Sequence, residues 1–391
     1  MSGPIFLRLA GSFLSEIAES LAERYCRLTT EPMSGAFFSN SGSEATEAAV
    51  KLARTYWLST GQSQRYKVIS RWQSYHGITM GALSWTGVTL RRKDFQPYLK
   101  ESFHIPPAYC YRCWFGKSPG TCDLDCAGAL EDAILAEGPE TIAAFMAEPV
   151  VGTSISGAVP PYEYFTRIRQ ICDRYEVLYI ADEVMTGAGR TGDVFFASDH
   201  FNAKPDIIAF GKGVGAGYYP LAGVLCNQLI IETISRGEGM YAASQSHSGH
   251  PLGMAAGHAV LDYVEKNEVL HQAAKTGAHL GRRLNELFEH PSVGDVRGLG
   301  MMWGIEFVRD RDKKLPYEPA LSFHTRIYDA ARSLGLLVLP SNGCNRGCDG
   351  DMVLFGPPLI STDEQIDQMV DILDRSISQV ESETGMMPSN H

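Results

Sequence analysis

Two hydrophobic rhythms alternate along the chain. Short, mostly apolar runs occupy Gly35-Ala36-Phe37-Phe38-Ser39 and the segments 66–70, 142–147, 177–181, 207–210 and 221–226. Runs this short and this continuous predict strands that are covered on both faces. Between them, apolar positions recur every three or four residues. Leu14, Ile17, Leu21 and Tyr25 share one face of a helix predicted over about 9–28, and Ala45, Ala48, Ala49, Leu52 and Tyr56 share one in a helix from Ser43 to about Ser59. Another helix is predicted over 162–175. Strands separated by helices predict an α/β fold, a mostly parallel sheet covered by helices. Two helices from Pro251 to about His290 then lead into a region of different character. It has predicted strands at 301–308, 336–340 and 352–355, and helices near 319–334 and 362–382. The expected organisation is an N-terminal helical segment (1–32), a large α/β domain (33–255) and a smaller α+β domain with its linking helices (256–391). No internal repeat is visible, and the tail after about Glu381 is expected to fray.

Composition narrows the possible activities. A length of 391 residues buries a core that needs neither disulfides nor metal to hold it. The formal net charge of -11 argues against a nucleic-acid partner. No apolar run approaches the ~20 residues that cross a bilayer, so no membrane partner is expected. The apolar start, Met1–Leu9, is followed by Glu16, Glu19 and Glu23, which reads as the approach to a helix and not as a secretory leader. Nine cysteines, an odd number, point to reduced thiols and a cytoplasmic protein. Glycine is the outlier at 39 residues, above the usual share of roughly 7%. It predicts many places where backbone turns sharply or approaches something closely.

Three segments carry candidate chemistry. Ser39-Asn40-Ser41-Gly42-Ser43-Glu44-Ala45 lies between a predicted strand and a helix. Free backbone N–H groups, hydroxyls and a helix N-terminus converge there, enough to hold a phosphate without a basic side chain. The alternative is an ordinary serine N-cap. In Ile180-Ala181-Asp182-Glu183-Val184, two carboxylates end a buried strand. An ionised acid there is costly unless it meets a cation or a protonated ring nitrogen, and a solvent-facing strand end is the alternative. In Phe210-Gly211-Lys212-Gly213-Val214-Gly215-Ala216-Gly217 a single lysine stands among four glycines directly after a strand. Such a lysine can form a Schiff base with a carbonyl cofactor; a solvated loop lysine is the plainer reading. Tyr75-His76-Gly77 adds an aromatic face and an imidazole, or else a core tyrosine.

Other patterns carry less. Gly187-Ala188-Gly189-Arg190-Thr191-Gly192 matches the dinucleotide fingerprint but stands beyond its strand with no helix after it. Gly116-Lys117-Ser118-Pro119-Gly120 matches a hydrolase pattern without its strand. No Gly-x-x-x-x-Gly-Lys-Ser/Thr is present, which disfavours a nucleotide triphosphatase. Cys110, Cys113, Cys122 and Cys126 are spaced C-x2-C-x8-C-x3-C, and Cys344 and Cys348 form a further pair. Four thiolates in one loop could bind structural zinc, but the central spacing is short, and a reduced cysteine-rich surface loop is the expectation. No metal site is assigned.

Taken in order, phosphate cradle, aromatic, carboxylate, buried acid and lysine resemble a class III aminotransferase of pyridoxal-phosphate (PLP) fold type I. The matching motifs are Ser41-Gly42-Ser43-Glu44-Ala45, Ser74-Tyr75-His76-Gly77, Ala147-Glu148-Pro149-Val150, Asp182-Glu183-Val184 with Thr186–Gly192, Pro205-Asp206-Ile207-Ile208 with Gly211-Lys212-Gly213, and Ser248-Gly249-His250-Pro251. The glycine pattern at 187–192 is then part of that family's own signature, and the large domain (33–255) would be the PLP-binding one.

The resemblance implies that Lys212 and Asp182 are the catalytic pair. Lys212 would bond the carbonyl carbon of PLP, and Asp182 would pair with its ring nitrogen. Ser41, Gly42 and Ser43 would cradle the phosphate. Tyr75, beside His76, would stack on the ring, Val184 would pack on the opposite side, and Glu148 would sit near the ring hydroxyl. Ser246 stands where the family usually places a threonine that reaches the neighbouring subunit's phosphate, implying a homodimer with shared sites. The implied reaction is a ping-pong transfer of an amino group from an ω-amino acid or amine to a keto acid. A PLP aminomutase or decarboxylase, and a non-catalytic descendant, remain alternatives.

Two departures bear on substrate. Thr153 replaces a second glutamate, and the arginine often found just before the Pro-Pro pair is missing before Pro357. Arg346 is a candidate replacement, with a solvated loop arginine as the alternative. The family also carries several tens of residues before the first helix, so the N-terminal segment here is expected to be short.

Overall fold

The computed structural model describes residues 5–6 (as backbone), 15–237, 241, 243 and 245–385. In chain order the first elements are β1 (Ile5–Phe6), α1 (Glu16–Cys26), β2 (Gly35–Ser39), α2 (Gly42–Ser59), β3 (Lys67–Arg71), α3 (Met80–Trp85), α4 (Thr89–Arg92) and β4 (Phe103–Ile105). There follow α5 (Asp125–Glu137), β5 (Ile142–Ala147), α6 (Tyr164–Arg174), β6 (Leu178–Glu183), β7 (Ile207–Phe210), β8 (Ala222–Cys226) and α7 (Gln228–Arg236). The chain ends with α8 (Pro251–Lys266), α9 (Val269–Glu286), β9 (Val293–Leu299), β10 (Met302–Phe307), α10 (Phe323–Ser333), β11 (Leu339–Asn345), β12 (Asp349–Phe355) and α11 (Asp363–Glu383).

Eight strands form one sheet in the order β1-β2-β8-β7-β6-β5-β3-β4. All neighbours run parallel except β8, which is antiparallel to both β2 and β7. Because β-strand side chains alternate faces, Phe37 and Phe38 enter different cores. Phe38 joins Tyr25 of α1, Phe145, Phe165 of α6 and Tyr179 on one face. Phe37 joins Leu52 and Trp57 of α2, Val224 and Ile231 of α7 on the other. That double covering is why the strands carry no polar alternation. The arrangement also puts the C-terminal ends of β2, β3, β5, β6 and β7 along one edge, where open α/β sheets bind ligands.

A second sheet, β11-β12-β10-β9, is antiparallel throughout. Its buried face (Ile305, Phe307, Val353, Phe355) packs on Leu280 and Leu284 of α9, Phe323 and Ile327 of α10, and Val370 and Ile377 of α11. No helix among the described residues is long and apolar enough to cross a membrane.

The pattern of strands and helices follows expectation in outline, but β1, α3, α4, β4 and α7 were not foreseen, and other elements differ in extent. The helix foreseen over 9–28 is seen as Glu16–Cys26, and residues 9–14 lie outside the described residues. β6 runs on to Glu183, so both carboxylates belong to the strand itself. β11 starts at Leu339, three residues later than expected, and Leu337 is instead exposed. Neither α5 nor β9 was foreseen. In α5 only Ala127, Leu130 and Ile134 are buried, a thin apolar face. In β9, glycine and charge at Gly294, Asp295, Arg297 and Gly298 hide the strand, since most of it is half-buried.

Candidate active site

The site is built from turns that leave the common sheet edge. After β2, Ser41 adopts an extended conformation and its hydroxyl accepts from Glu44 N (3.3 Å), while the Glu44 carboxylate accepts from Asn40 N (2.9 Å). This reciprocal cap starts an 18-residue helix cleanly, and it means that the hydroxyl of Ser41 serves its own helix. Ser43 Oγ accepts from Ile78 N (3.0 Å), which leaves its hydrogen free to donate. Gly42 is required here because a Cβ would stand 2.6 Å from Val184 Cγ1. Val184 therefore closes over the start of α2. Gly77, at φ +132, lies so close that a Cβ would meet Ser43 Oγ at 2.5 Å.

Asp182 comes out of β6 into this space and is 4% exposed. Its Oδ2 is 2.7 Å from His76 Nδ1, and its Oδ1 accepts from Val184 N at 3.1 Å. His76 is equally buried, and its Nε2 has no hydrogen-bond partner among the described residues. The imidazole is thus aimed at one carboxylate and its other nitrogen is left over. Three hydroxyl contacts fix it from behind: Thr86 Oγ1 accepts from His76 N (2.9 Å) and donates to Gly77 O (3.0 Å), and Thr46 Oγ1 donates to His76 O (2.7 Å).

Glu148, just past β5, is buried and accepts from Tyr75 N and Gly152 N, both at 2.9 Å. Burial pushes its carboxyl up from the ordinary range, with the charge of Asp182 adding to the rise and His76 and the two backbone donors opposing it. Glu148 thereby anchors the Tyr75 backbone. The half-buried Tyr75 ring has the Arg91 guanidinium 5.3 Å from its centre. Glu183, the neighbour of Asp182, points the other way. Its carboxylate accepts from Thr186 Oγ1, Ala197 N, Ser198 N and Ser198 Oγ, a fully used structural anchor. Burial raises its pKa as well.

Lys212 leaves β7 through Gly211 with φ +47, an exposed side chain in left-handed backbone, and has no hydrogen-bond or ion-pair partner among the described residues. It lines a cavity of about 1320 Å³ whose walls are mainly apolar, including Met185, Val260, Met302, Leu339 and Leu359, with Arg190 as a second cation. Arg190 donates to Met301 O and Pro357 O.

The structure therefore brings Ser41, Gly42, Ser43, Tyr75, His76, Glu148, Asp182, Val184 and Lys212 to one sheet edge. Ser246 is not among them: it is exposed in the turn at 246–249, and no hydrogen bond joins it to the others. Arg346 does not share the Lys212 cavity either. It sits 5.5 Å over the Trp114 ring and lines a separate cleft of about 950 Å³ with Cys110 and Cys113. All nine cysteines are free thiols, and among the described residues no group of three His, Cys, Asp or Glu side chains is placed to hold a metal ion. Thr46 and Thr86 were not singled out from the sequence, and Glu183, read beside Asp182 as one of two strand-end carboxylates, is a structural anchor. The two threonines belong to no motif and act only through distant backbone, and Glu183 differs from Asp182 only in which face it meets.

A profile of the aminotransferase class-III family matches residues 7–377. The chain belongs to that family. An uncharacterized aminotransferase of Bacillus subtilis is 38% identical over 370 residues, covering 94% of this chain and 83% of its own length. The diaminobutyrate–2-oxoglutarate transaminase of Halomonas elongata is 38% identical over 371 residues, 92% of this chain and 77% of that one. The solved omega transaminase of Pseudomonas jessenii in complex with PMP superposes with a TM-score of 0.89 at 33% identity, covering 96% of this chain and 82% of that one. This chain is accordingly an aminotransferase with the fold type I architecture, in a family that uses PLP. The loop at 187–192 is a packing element: a Cβ on Gly192 would stand 2.9 Å from Ala274 Cα of α9, so no dinucleotide phosphate fits there.

Proposed function

We propose that this aminotransferase holds PLP at the β2–β3–β5–β6–β7 edge and moves an amino group from a primary amine or ω-amino acid to a keto acid in two half-reactions. The observation that carries the assignment is the buried His76–Asp182 pair opening onto the same edge as the start of α2 and the Lys212 turn. The residues fit the group. The N-terminus of α2 and the Ser43 hydroxyl suit a phosphate, the paired Asp182 suits a protonated ring nitrogen, and the glycines at 42 and 77 let Val184 and Ser43 pack directly on the backbone there.

When bound, the cofactor supplies an electron sink for the pair left behind as a C–H bond of the amine breaks. The chain supplies everything around that event. His76 Nδ1 and Val184 N fix the two oxygens of Asp182 in place, and a carboxylate held there would pair with a protonated ring nitrogen of the cofactor. Lys212, with no side-chain partner among the described residues, would take the proton from the amine-bearing carbon. Glu148 holds the Tyr75 backbone, and Tyr75 and Val184 would bound the ring. The apolar cavity beside Lys212 suits the carbon skeleton of an amine and excludes water from it. Relatives acting on diaminobutyrate with 2-oxoglutarate, and a structural neighbour described as an omega transaminase, support this donor and acceptor class.

The working unit in this reading is a homodimer. Ile78 and Met80, next to the cradle, are apolar and 52% and 48% exposed, and Lys212 and Ser246 are exposed too. A second copy would cover them and bring its Ser246 to the phosphate.

Adding PLP to the protein should give a yellow complex, and borohydride should fix the cofactor on the peptide containing Lys212. A chain that never gains cofactor absorbance overturns the reading. Equal amounts of carbonyl product and aminated acceptor are expected, whereas release of carbon dioxide would assign a decarboxylase.

A further inference from the structure

Gln73 precedes Ser74-Tyr75-His76 by one residue and stands at φ +56, in left-handed backbone that residues other than glycine seldom adopt unless they are held there. It is held at every polar atom but one. Its N donates to Gly87 O (3.0 Å), and its carbonyl accepts from Ser154 Oγ (2.6 Å). Its side-chain Nε2 donates to Gly343 O (3.0 Å) and Cys344 O (2.7 Å), carbonyls of β11 in the other sheet. The remaining atom, Oε1, is buried without a partner among the described residues. A buried acceptor left unpaired is costly, and an apolar side chain of equal size would avoid that cost. The amide is thus present for its two donated bonds.

Those bonds close a circuit around Tyr75. Ser154 belongs to the loop that begins with Glu148, and the Glu148 carboxylate accepts from Tyr75 N. A separate bond, Ser341 Oγ donating to Thr153 O (2.7 Å), ties β11 to the far part of that loop without involving Gln73, Tyr75 or His76. The β11–β12 hairpin also leans on α4: a Cβ on Gly347 would stand 2.7 Å from Thr89 Oγ1, and α4 carries the Arg91 that lies over the Tyr75 ring. The small sheet therefore meets the segment carrying Tyr75 and His76 from two directions, and Gln73 is the buried side chain that joins them.

We propose that Gln73 is a positioning residue that registers the β11–β12 hairpin against Tyr75 and His76, so that the placement of the small sheet sets the face offered to the cofactor ring. This rests on the assignment of Tyr75 and His76 to that face.

The test uses Gln73→Met, which keeps the volume without the donors, and Gln73→Glu, which keeps the shape. Ser341→Ala, on the same strand but outside the Gln73 bonds, is the control. In the protein without cofactor, hydrogen exchange at the amides of 74–77 and 343–347 should rise together by about tenfold in both Gln73 variants, the effect of losing about one net hydrogen bond's stabilisation. Ser341→Ala should leave 74–77 unchanged. With PLP, affinity should fall about tenfold, and kcat should fall while KM for the amine stays within about twofold. Faster exchange confined to the hairpin, or a lowered Tm with wild-type PLP affinity and kcat, would show a merely structural glutamine and overturn the proposal. Should the wild-type protein take up no PLP, the cofactor assignment is what has failed, and the exchange measurement still decides whether Gln73 couples the two segments. If Gln73→Met does not fold, Gln73→Glu carries the same comparison.

Discussion

Two buried carboxylates, one on each sheet, show how burial alone does not mark a catalytic acid. Asp182 at the end of β6 has a single side-chain partner, His76, whose second nitrogen is left without a hydrogen bond. Glu306 in β10 is fully buried and saturated: Tyr109 Oη and Arg112 Nε donate to it, and Arg297 Nη1 does so at 3.1 Å. Arg297 also reaches across to Ile155 O (2.9 Å) in the loop after Glu148. The first acid is poised with capacity to spare, which is what a cofactor would use. The second is a closed knot that fastens the small sheet to the large one.

If that contrast is right, neutralising each acid should damage a different property. Asp182→Asn should lower turnover by about 10³-fold, as expected for losing control of a proton in the reaction. Its thermal unfolding should stay close to wild type; a large loss of stability with retained turnover per folded molecule would erase the distinction. Glu306→Gln should do the reverse, because it leaves Arg112 buried without its carboxylate partner and Arg297 with Asp295 alone. Unfolding in denaturant should show a loss of about 3–5 kcal/mol, and the fraction still folded should turn over at near the wild-type rate.

Gly42→Ala sharpens the picture of the open side. Its Cβ would meet the Val184 side chain, and relieving that overlap costs about 1–3 kcal/mol. PLP titration should accordingly show weaker binding, with the His76–Asp182 contact intact.

A third cluster supplies the smallest effect and a pH signature. His290 Nδ1 is 2.9 Å from Glu381 Oε2, and its Nε2 is 2.9 Å from Asp374 Oδ1. Burial pulls the pKa of His290 down, but the hydrogen bonds to Glu381 and Asp374 outweigh it and leave the pKa raised above 6.5. Burial pushes Glu381 up, and its bonds to His290 and Ser292 more than reverse that, leaving it below 4.5. A raised histidine stabilises the fold fully below its unfolded value and loses that contribution as pH rises through its folded value. A depressed glutamate contributes above its unfolded value and loses it as pH falls. The cluster is therefore strongest between pH 4.5 and 6.5. His290→Gln should cost about 1–2 kcal/mol in that window and less at higher pH, read from urea unfolding at several pH values.

The six inner strands of the large sheet were legible because they are covered on both faces, so their apolar runs are continuous; its edge strands β1 and β4 were not. The edges of the small sheet were not. In β9, Asp295 and Arg297 interrupt the run, and they are tolerated only because they meet each other and Glu306 in space. Lys212 and Asp182 stood out by their setting of glycines and a strand end, and Gly42 and Gly77 by position within motifs. Thr86, Thr46 and Gln73 were illegible for the opposite reason. Each acts on a backbone group far along the chain, and nothing in its neighbours records that partner. Ser246 illustrates the limit within a motif: the residue was readable, but within one chain it joins no other member of the site.

The sequence by itself determined much of the alternation of strand and helix, the family, and a set of candidate cofactor residues, most of which the fold gathers at one sheet edge. Periodicity and local turn chemistry depend on near neighbours, and near neighbours are what a sequence displays. Only the tertiary structure decided which of two adjacent acids faces the site, which nitrogen of His76 is occupied, and how the small sheet is tied to Tyr75. Those outcomes depend on which face of a strand meets which partner across tens or hundreds of residues, as when Gln73 reaches Cys344. Burial then makes each such pairing binding, because an unpaired polar group inside the protein has nowhere else to turn.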